Sequence, residues 1–453
     1  MRQALLASFT SLGMAILSAS PRAVYDAVGV AGLYLYAFSA VLSVAGTNVG
    51  AGLMLLMLLV QPRRAWVDLS RHPFFLVSVV FAAYAAARAG WAMLEMPQTT
   101  DRQLDQLWEW VRLSFVWLPG WWLAQDSRRI YAVLLLMLAG FLTRIAYFMP
   151  WADLETILAG DYQPLKLGLW HIRIGLYAGV ALLGTIVLGQ RLRGGPGWAS
   201  SWAQAARSIL WLLLVLLLVE VVLVAKSRTA WIAVLAVVPV VTVIYLWPWL
   251  RAIALRAQYR ILAGGALVLG LLAVVVGFNL DGIQDRAGKE EAVYEQLLHG
   301  DLEDIPETSV GLRVQAYRYA LQRIAERPLF GWGTGTTRYL LDESGIKDTV
   351  GHFHNSYLEV LVRLGLLGAV LFAAGLWILA RGVWRAYRDG ALPRDLFWFL
   401  TGALGVFLIW NLADYRLTEV DNMAFLHLLT GIAYVYLAPP GARSGQAGVA
   451  SGR

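Results

Sequence analysis

Long apolar runs recur along almost the whole of this chain, and about 20 such residues are what a helix needs to cross a bilayer. They fall at about 28–44, 47–60, 74–94, 109–124, 130–149, 168–190, 207–225, 229–247, 261–280, 355–380, 395–412 and 422–438. Together they predict an all-α polytopic membrane protein of about twelve transmembrane helices. The composition agrees: of 453 residues 59% are hydrophobic and 15% charged, and mean hydropathy is +0.60, too apolar for a soluble domain of this length. Cysteine is absent, which removes disulfides, thiolate metal sites and a cysteine nucleophile.

The net charge of +7 does not point to nucleic acid, because it is unevenly placed. Residues 281–353 hold 13 acidic and 8 basic side chains, against 17 and 29 elsewhere. Basic residues collect in alternate short connections, among them Arg63 and Arg64, Arg128 and Arg129, Arg191 and Arg193, Arg251 and Arg256, and Arg381 and Arg385. By the positive-inside rule those connections are cytoplasmic, so 281–353 lies outside, which in a Gram-negative cell is the periplasm. The chain then divides into an N-terminal segment (1–27), nine spans (28–280), the long outer segment (281–353), three further spans (354–438) and a Gly, Ala and Ser-rich tail (439–453) read as disordered. The N-terminal segment resembles a signal peptide, but its Ser and Thr content suits an uncleaved interfacial helix better. No internal repeat divides the membrane unit.

Chemistry concentrates where the outer segment meets the tenth apolar run, in GHFHNSYLEVLVRLGLLG from Gly351 to Gly368. Ser356 and Glu359 have capping-box spacing, which predicts a helix starting at about Ser356 with His354 just before its first turn. There the imidazole faces the positive end of the helix dipole and is placed to accept a proton at the membrane surface. A lone histidine at such a join is more often just a polar interfacial residue.

Arg88, Arg112, Arg144, Arg173, Arg228 and Arg363 all fall toward the outer ends of their spans. Charges at that depth line cavities, find partners or snorkel, and guanidinium forks suit phosphate oxygens. Arg363 has an i, i+4 partner in Glu359. Arg228 lies in a tight KSRTA turn at the membrane face. Arg313 falls in the first turn of a helix over Ser309–Arg327, capped by Thr308 or Ser309 and stopped by Pro328, where a cation suits a bound anion unless Glu307 offsets it. Gly331–Thr337, GWGTGTT, lacks the strand and Lys of a P-loop and reads as a flexible loop returning to the membrane. His352 and His354 with Asp414, Glu419 and Asp421 are imaginable metal ligands, but no fixed third ligand or known spacing joins them, so a site without metal or other cofactor is favoured. No G-x-S-x-G elbow supports a hydrolase.

His354-Asn355 followed by Gly365-x-x-Gly368 resembles the signature of bacterial O-antigen ligases. The Ser227-Arg228 turn and Gly331-Trp332-Gly333 are similar to the wider superfamily of O-antigen ligases, O-antigen polymerases and protein O-oligosaccharyltransferases. The likeness covers roughly Lys226 to Gly368. It implies a GT-C type glycosyltransferase of the bacterial inner membrane, moving a polysaccharide from undecaprenyl diphosphate to a sugar hydroxyl of lipid A-core without metal. His354 would then be the base, and Arg228, Arg313 and more weakly Arg173, beside His171, would hold the diphosphate. Asn355, Tyr357 and Glu359 would orient His354. The partners implied are this donor, this acceptor and membrane lipids. From another class, a lipid-linked glycan transporter would also use many spans and a charged cavity, but with repeated, broken helices that this sequence does not show.

Overall fold

The apolar runs become helices whose ends are fixed by short polar residues and prolines. Ser20, Ser43, Asp126, Thr308 and Asn355 each cap a helix through a side-chain oxygen, and Pro21 and Pro73 begin one. The computed structural model describes residues 20–124, 126–158, 163–193, 201–252, 291–299, 305–346 and 351–437, with isolated positions between 270 and 284. Among the described residues it is all-helical. Most of the expected span at 261–280 and of 281–304, the N-terminal segment before Ser20 and the tail 439–453 lie outside them.

The principal helices are α1 (Pro21–Ser39), α2 (Val44–Leu59), α3 (Pro73–Glu95), α4 (Thr100–Leu113), α5 (Ser127–Phe148), α6 (His171–Val187), α7 (Ser201–Val224), α8 (Arg228–Ala252), α9 (Ser309–Glu326), α10 (Ser356–Arg388), α11 (Arg394–Trp410) and α12 (Val420–Val435). Five of them, α3, α5, α7, α8 and α10, are long and apolar enough to cross a membrane, and α2 with the adjoining Pro62–Ser70 makes a sixth if that pair, bent by 98°, is one broken span. α6 and α12 are apolar but shorter. The chain is thus a multi-pass membrane protein.

One expected span is redrawn. Residues 109–124 divide between the end of α4 and a seven-residue helix, Trp117–Leu123. α4 carries Asp101, Arg102, Asp105, Glu109 and Arg112 within its 14 residues, too many charges to cross as an apolar rod.

Small residues set the close helix contacts, as is usual where no hydrophobic drive separates lipid from core. Gly32 of α1 faces Gly50 of α2, where a Cβ on Gly50 would lie 2.6 Å from the Tyr36 nitrogen. α6 packs on α7, α8 and α11, α3 packs on α4 and α10, and α12 packs on Trp117–Leu123.

α10 is not one continuous helix. Gly365, at φ 63° and ψ −171°, interrupts it in a conformation open in practice only to glycine. The break leaves carbonyls without partners above and amides without partners below. A strap, Pro328–Gly333, supplies both. The Trp332 and Gly333 amides donate to the Val362 and Arg363 carbonyls at 2.7 and 2.9 Å, while the Leu366 and Leu367 amides donate to the Pro328 and Leu329 carbonyls at 2.8 and 3.1 Å. The Tyr84 hydroxyl donates to the Leu364 carbonyl at 2.6 Å. The sequence pattern suggests a flexible loop at GWGTGTT, yet Thr334, Thr336 and Thr337 have no solvent exposure at all. Gly331 serves the close approach to the broken helix, a Cβ there lying 2.6 Å from the Gly365 nitrogen, whereas Gly333 and Gly335 face Ala92, Arg102 and Gln103 of α3 and α4.

Candidate active site

The first turn of α10 holds the site. Its cap is Asn355, not Ser356: the Asn355 Oδ1 accepts the Tyr357 and Leu358 amides at 2.9 and 3.1 Å, and its Nδ2 donates to the Leu412 carbonyl at 2.9 Å. Ser356 instead turns to Asn411 and the Asp414 carbonyl. Glu359, fully buried, reaches past the cap. Its Oε1 accepts the Phe353 amide at 2.6 Å, and its Oε2 accepts the Thr337 hydroxyl at 2.9 Å and Arg363 Nε at 2.6 Å. Arg363 also donates to the Gln106 side chain at 2.6 Å and the Thr334 carbonyl at 3.1 Å, beneath the Tyr415 ring. This buried pair ties the strap, α4 and the histidine turn to one point.

Two residues before α10 starts, His354 sits at φ 50°, a left-handed backbone uncommon outside glycine. Its amide donates to His352 Nδ1 at 3.1 Å, and its carbonyl accepts the Tyr317 hydroxyl at 3.0 Å. Tyr317, on α9, also donates to the Leu412 carbonyl at 2.9 Å. Burial raises its phenol above the usual value, so it stays a donor over any working pH. Sequence reasoning missed Tyr317, for which the available signal was its position one turn beyond Arg313. The half-buried Arg313 makes no hydrogen bond or ion pair to any of the described residues and lies close enough to Tyr317 for its charge to act on that phenol.

His352, His354 and the buried Asp414 offer ligand atoms within 4.8 Å of one another. No spacing in the sequence connects Asp414 to the histidines. Two of the three are already engaged: Asp414 accepts the Tyr415 amide and Arg416 Nε at 2.9 and 3.2 Å, and a His352 whose Nδ1 accepts the His354 amide carries its hydrogen on Nε2 when neutral, which leaves no lone pair there for a cation. The set fits an imidazole pair backed by a carboxylate better than a cation site.

The other expected residues lie around this centre in different ways. Tyr357 points its hydroxyl to the Leu408 carbonyl at 2.8 Å, so it fastens α10 to α11. Arg173 is held by Glu419 at 3.0 Å and Asp421 at 2.9 Å, and Tyr177 joins Asp421 at 2.9 Å. Arg416 joins the same run, 3.6 Å from Glu419. Arg228 opens α8 after a turn with Lys226 at φ 46°, and Ser227 and Ala230 pack on Gly175, two residues beyond Arg173. Of the other interfacial arginines, Arg88 is buried against Glu95 and the Gly331 carbonyl, and Arg144 against the carbonyls of Val41, Leu42, Leu167 and Gly168.

A multi-pass helical membrane protein with a histidine held at positive φ just before a broken apolar helix is the class that fold and site define. Residues 212–373, the stretch from α7 into α10, match the O-antigen ligase family model. The match takes in Arg228, Arg313, the strap, His354 and Gly365. No curated protein matches the chain.

Proposed function

We propose that this protein is an O-antigen ligase of GT-C type, an inverting glycosyltransferase working at the periplasmic face of the bacterial inner membrane. The donor is a polysaccharide on undecaprenyl diphosphate and the acceptor a sugar hydroxyl of lipid A-core. The His354 imidazole takes the acceptor proton, the freed oxygen bonds to the anomeric carbon, and the bond from that carbon to the phosphate oxygen breaks, so undecaprenyl diphosphate leaves. Negative charge grows on the diphosphate, and preplaced guanidinium groups stabilise it. Arg313 and Arg228 take that role. Arg173, already neutralised by two carboxylates, is better suited to shaping the loop that carries Asp414. Between α10 and α11, directly below Asn355, a cavity of about 260 Å³ lined by Tyr357, Leu361, Phe372, Leu404 and Phe407 suits an isoprenoid chain.

The observation that carries this reading is the His354 turn, fixed from three sides by Glu359, Tyr317 and His352, inside the segment that matches the family. The test is His354→Ala with purified lipid-linked donor and lipid A-core. Transfer should fall by about a hundredfold or more at unchanged unfolding temperature, and the wild-type rate should withstand EDTA. Unimpaired transfer by the variant removes His354 from its role. Polymerase chemistry is the alternative, and it is read from cells lacking the gene: bare core supports ligation, core bearing a single repeat supports polymerisation.

A further inference from the structure

The second concentration of polarity in the membrane bundle lies away from the His354 turn, in a cavity of about 300 Å³ between α2, α4 and α12. Its wall includes Tyr36, Asn48, Gly52, Arg112, Met423 and His427. Arg112 differs from the arginines around the site. Arg88, Arg173, Arg363 and Arg416 each meet a carboxylate, and Arg144 meets four backbone carbonyls. Among the described residues, the Arg112 guanidinium donates a hydrogen bond only to the Met423 sulfur, at 3.0 Å, a weak acceptor, and the Glu109 carboxylate is near enough for the two charges to act on each other. Glu109, one turn earlier, gives its carboxylate to the Thr418 hydroxyl at 2.9 Å. The end of the α4 dipole favours a cation but provides no hydrogen bond to it.

Arg112 is half-buried at the cavity wall, and beyond the through-space charge of Glu109 its guanidinium keeps donors that no described residue accepts, so an anionic group of a ligand can be received there. The cavity opens to the outside through the exposed Asn48, Gly52 and Trp108. Below that mouth the outer face of α2 is apolar, with Val49, Leu56 and Leu59 more than half exposed. His427 closes the floor, its Nδ1 at 3.0 Å from the Tyr36 hydroxyl. Cation above, amide beside it and an apolar stripe below match the parts of one amphiphile.

We propose that this cavity binds a phospholipid of net negative charge, its phosphate on Arg112 and Asn48 and an acyl chain along Val49, Leu56 and Leu59. The site stands apart from the proposed diphosphate site and does not depend on transferase chemistry. It is tested on delipidated, detergent-solubilised full-length protein, by thermal unfolding with phosphatidylglycerol and with phosphatidylcholine of identical chains. Phosphatidylglycerol should raise the unfolding temperature by roughly 3 °C or more at saturation, and phosphatidylcholine by much less. Arg112→Gln should abolish the difference. Gly52→Leu should do the same with Arg112 intact, because a Cβ at Gly52 meets nothing within 4 Å and the larger side chain fills the mouth without disturbing the fold. His354→Ala should keep the shift, which separates this site from the transferase centre. Equal response to both lipids, a shift that survives Gly52→Leu, or the same shift from inorganic phosphate alone overturns the proposal; the last outcome marks a site for free anions.

Discussion

The two sides of the first turns of α10 use the same residue types in opposite ways. On the strap side Arg88 and Arg363 are buried, and Thr334, Thr336 and Thr337 have no exposure. Arg363 finds Glu359, Gln106, Thr334 and Thr337, and the Gln103 side chain accepts both the Thr334 hydroxyl at 3.0 Å and the Gly335 amide at 2.9 Å. On the histidine side Arg313 has no acidic partner among the described residues, and His354 is held by its backbone in a strained turn. An arginine at the membrane surface is scaffold where the chain supplies its acceptor, and a candidate ligand group where the chain withholds it. Depth alone, which is all a hydropathy profile gives, cannot separate the two.

The largest effect expected on this contrast is at the break in α10. A Cβ on Gly365 would lie 2.4 Å from the Leu329 carbonyl oxygen, at a φ that alanine tolerates poorly, so Gly365→Ala should cost about 3 kcal/mol or more and abolish accumulation of folded protein in membranes. Next comes the buried ion pair. Arg363→Met leaves Glu359 charged and enclosed, for a loss of about 3 to 5 kcal/mol, whereas Arg363→Met with Glu359→Gln should recover much of it in detergent unfolding. An additive double variant would mean that the two charges act separately.

On the histidine side the effects should appear in kinetics, not in folding. Arg313→Gln should lower kcat/KM for a lipid diphosphate donor by about tenfold, or more if both guanidinium hydrogen bonds are lost, with the unfolding temperature unchanged. A matching fall in stability would assign Arg313 to the scaffold instead. The smallest change is Tyr317→Phe, which removes one hydroxyl bonded to two carbonyls. A loss of about 1 kcal/mol in stability and a few-fold fall in kcat should follow, as the His354 turn loosens.

Much of this organisation is legible in the residues. α3, α5, α7, α8 and α10 follow apolar runs, α9 ends before Pro328 as its proline requires, and the Glu359–Arg363 pair follows from i, i+4 spacing. The cap at Asn355 lies one residue before the expected one because Ser356 and Glu359 mimic a capping box. Glu359 is pulled out of that pattern by Arg363, its i, i+4 partner, and by the Phe353 amide, and only the second contact has no local rule to anticipate it. Residues 109–124 read as one span by hydropathy, though Pro119 and Gly120 and the polar face of α4 argue for the division observed. The proximity of Asp414 to His352 and His354, and the seating of the strap on α10, arise from tertiary contacts between segments tens of residues apart, and no periodicity reports them.

The strap also carries a consequence for biogenesis. Pro328–Gly333 emerges from the ribosome before α10, so it must wait at the membrane surface for its partner. Until the two meet, the amides and carbonyls exposed at Gly365 would face lipid, where an unbonded backbone group is costly enough to keep the segment from settling. Satisfaction of the backbone at the break in the tenth apolar run is therefore tied to docking of the strap on it.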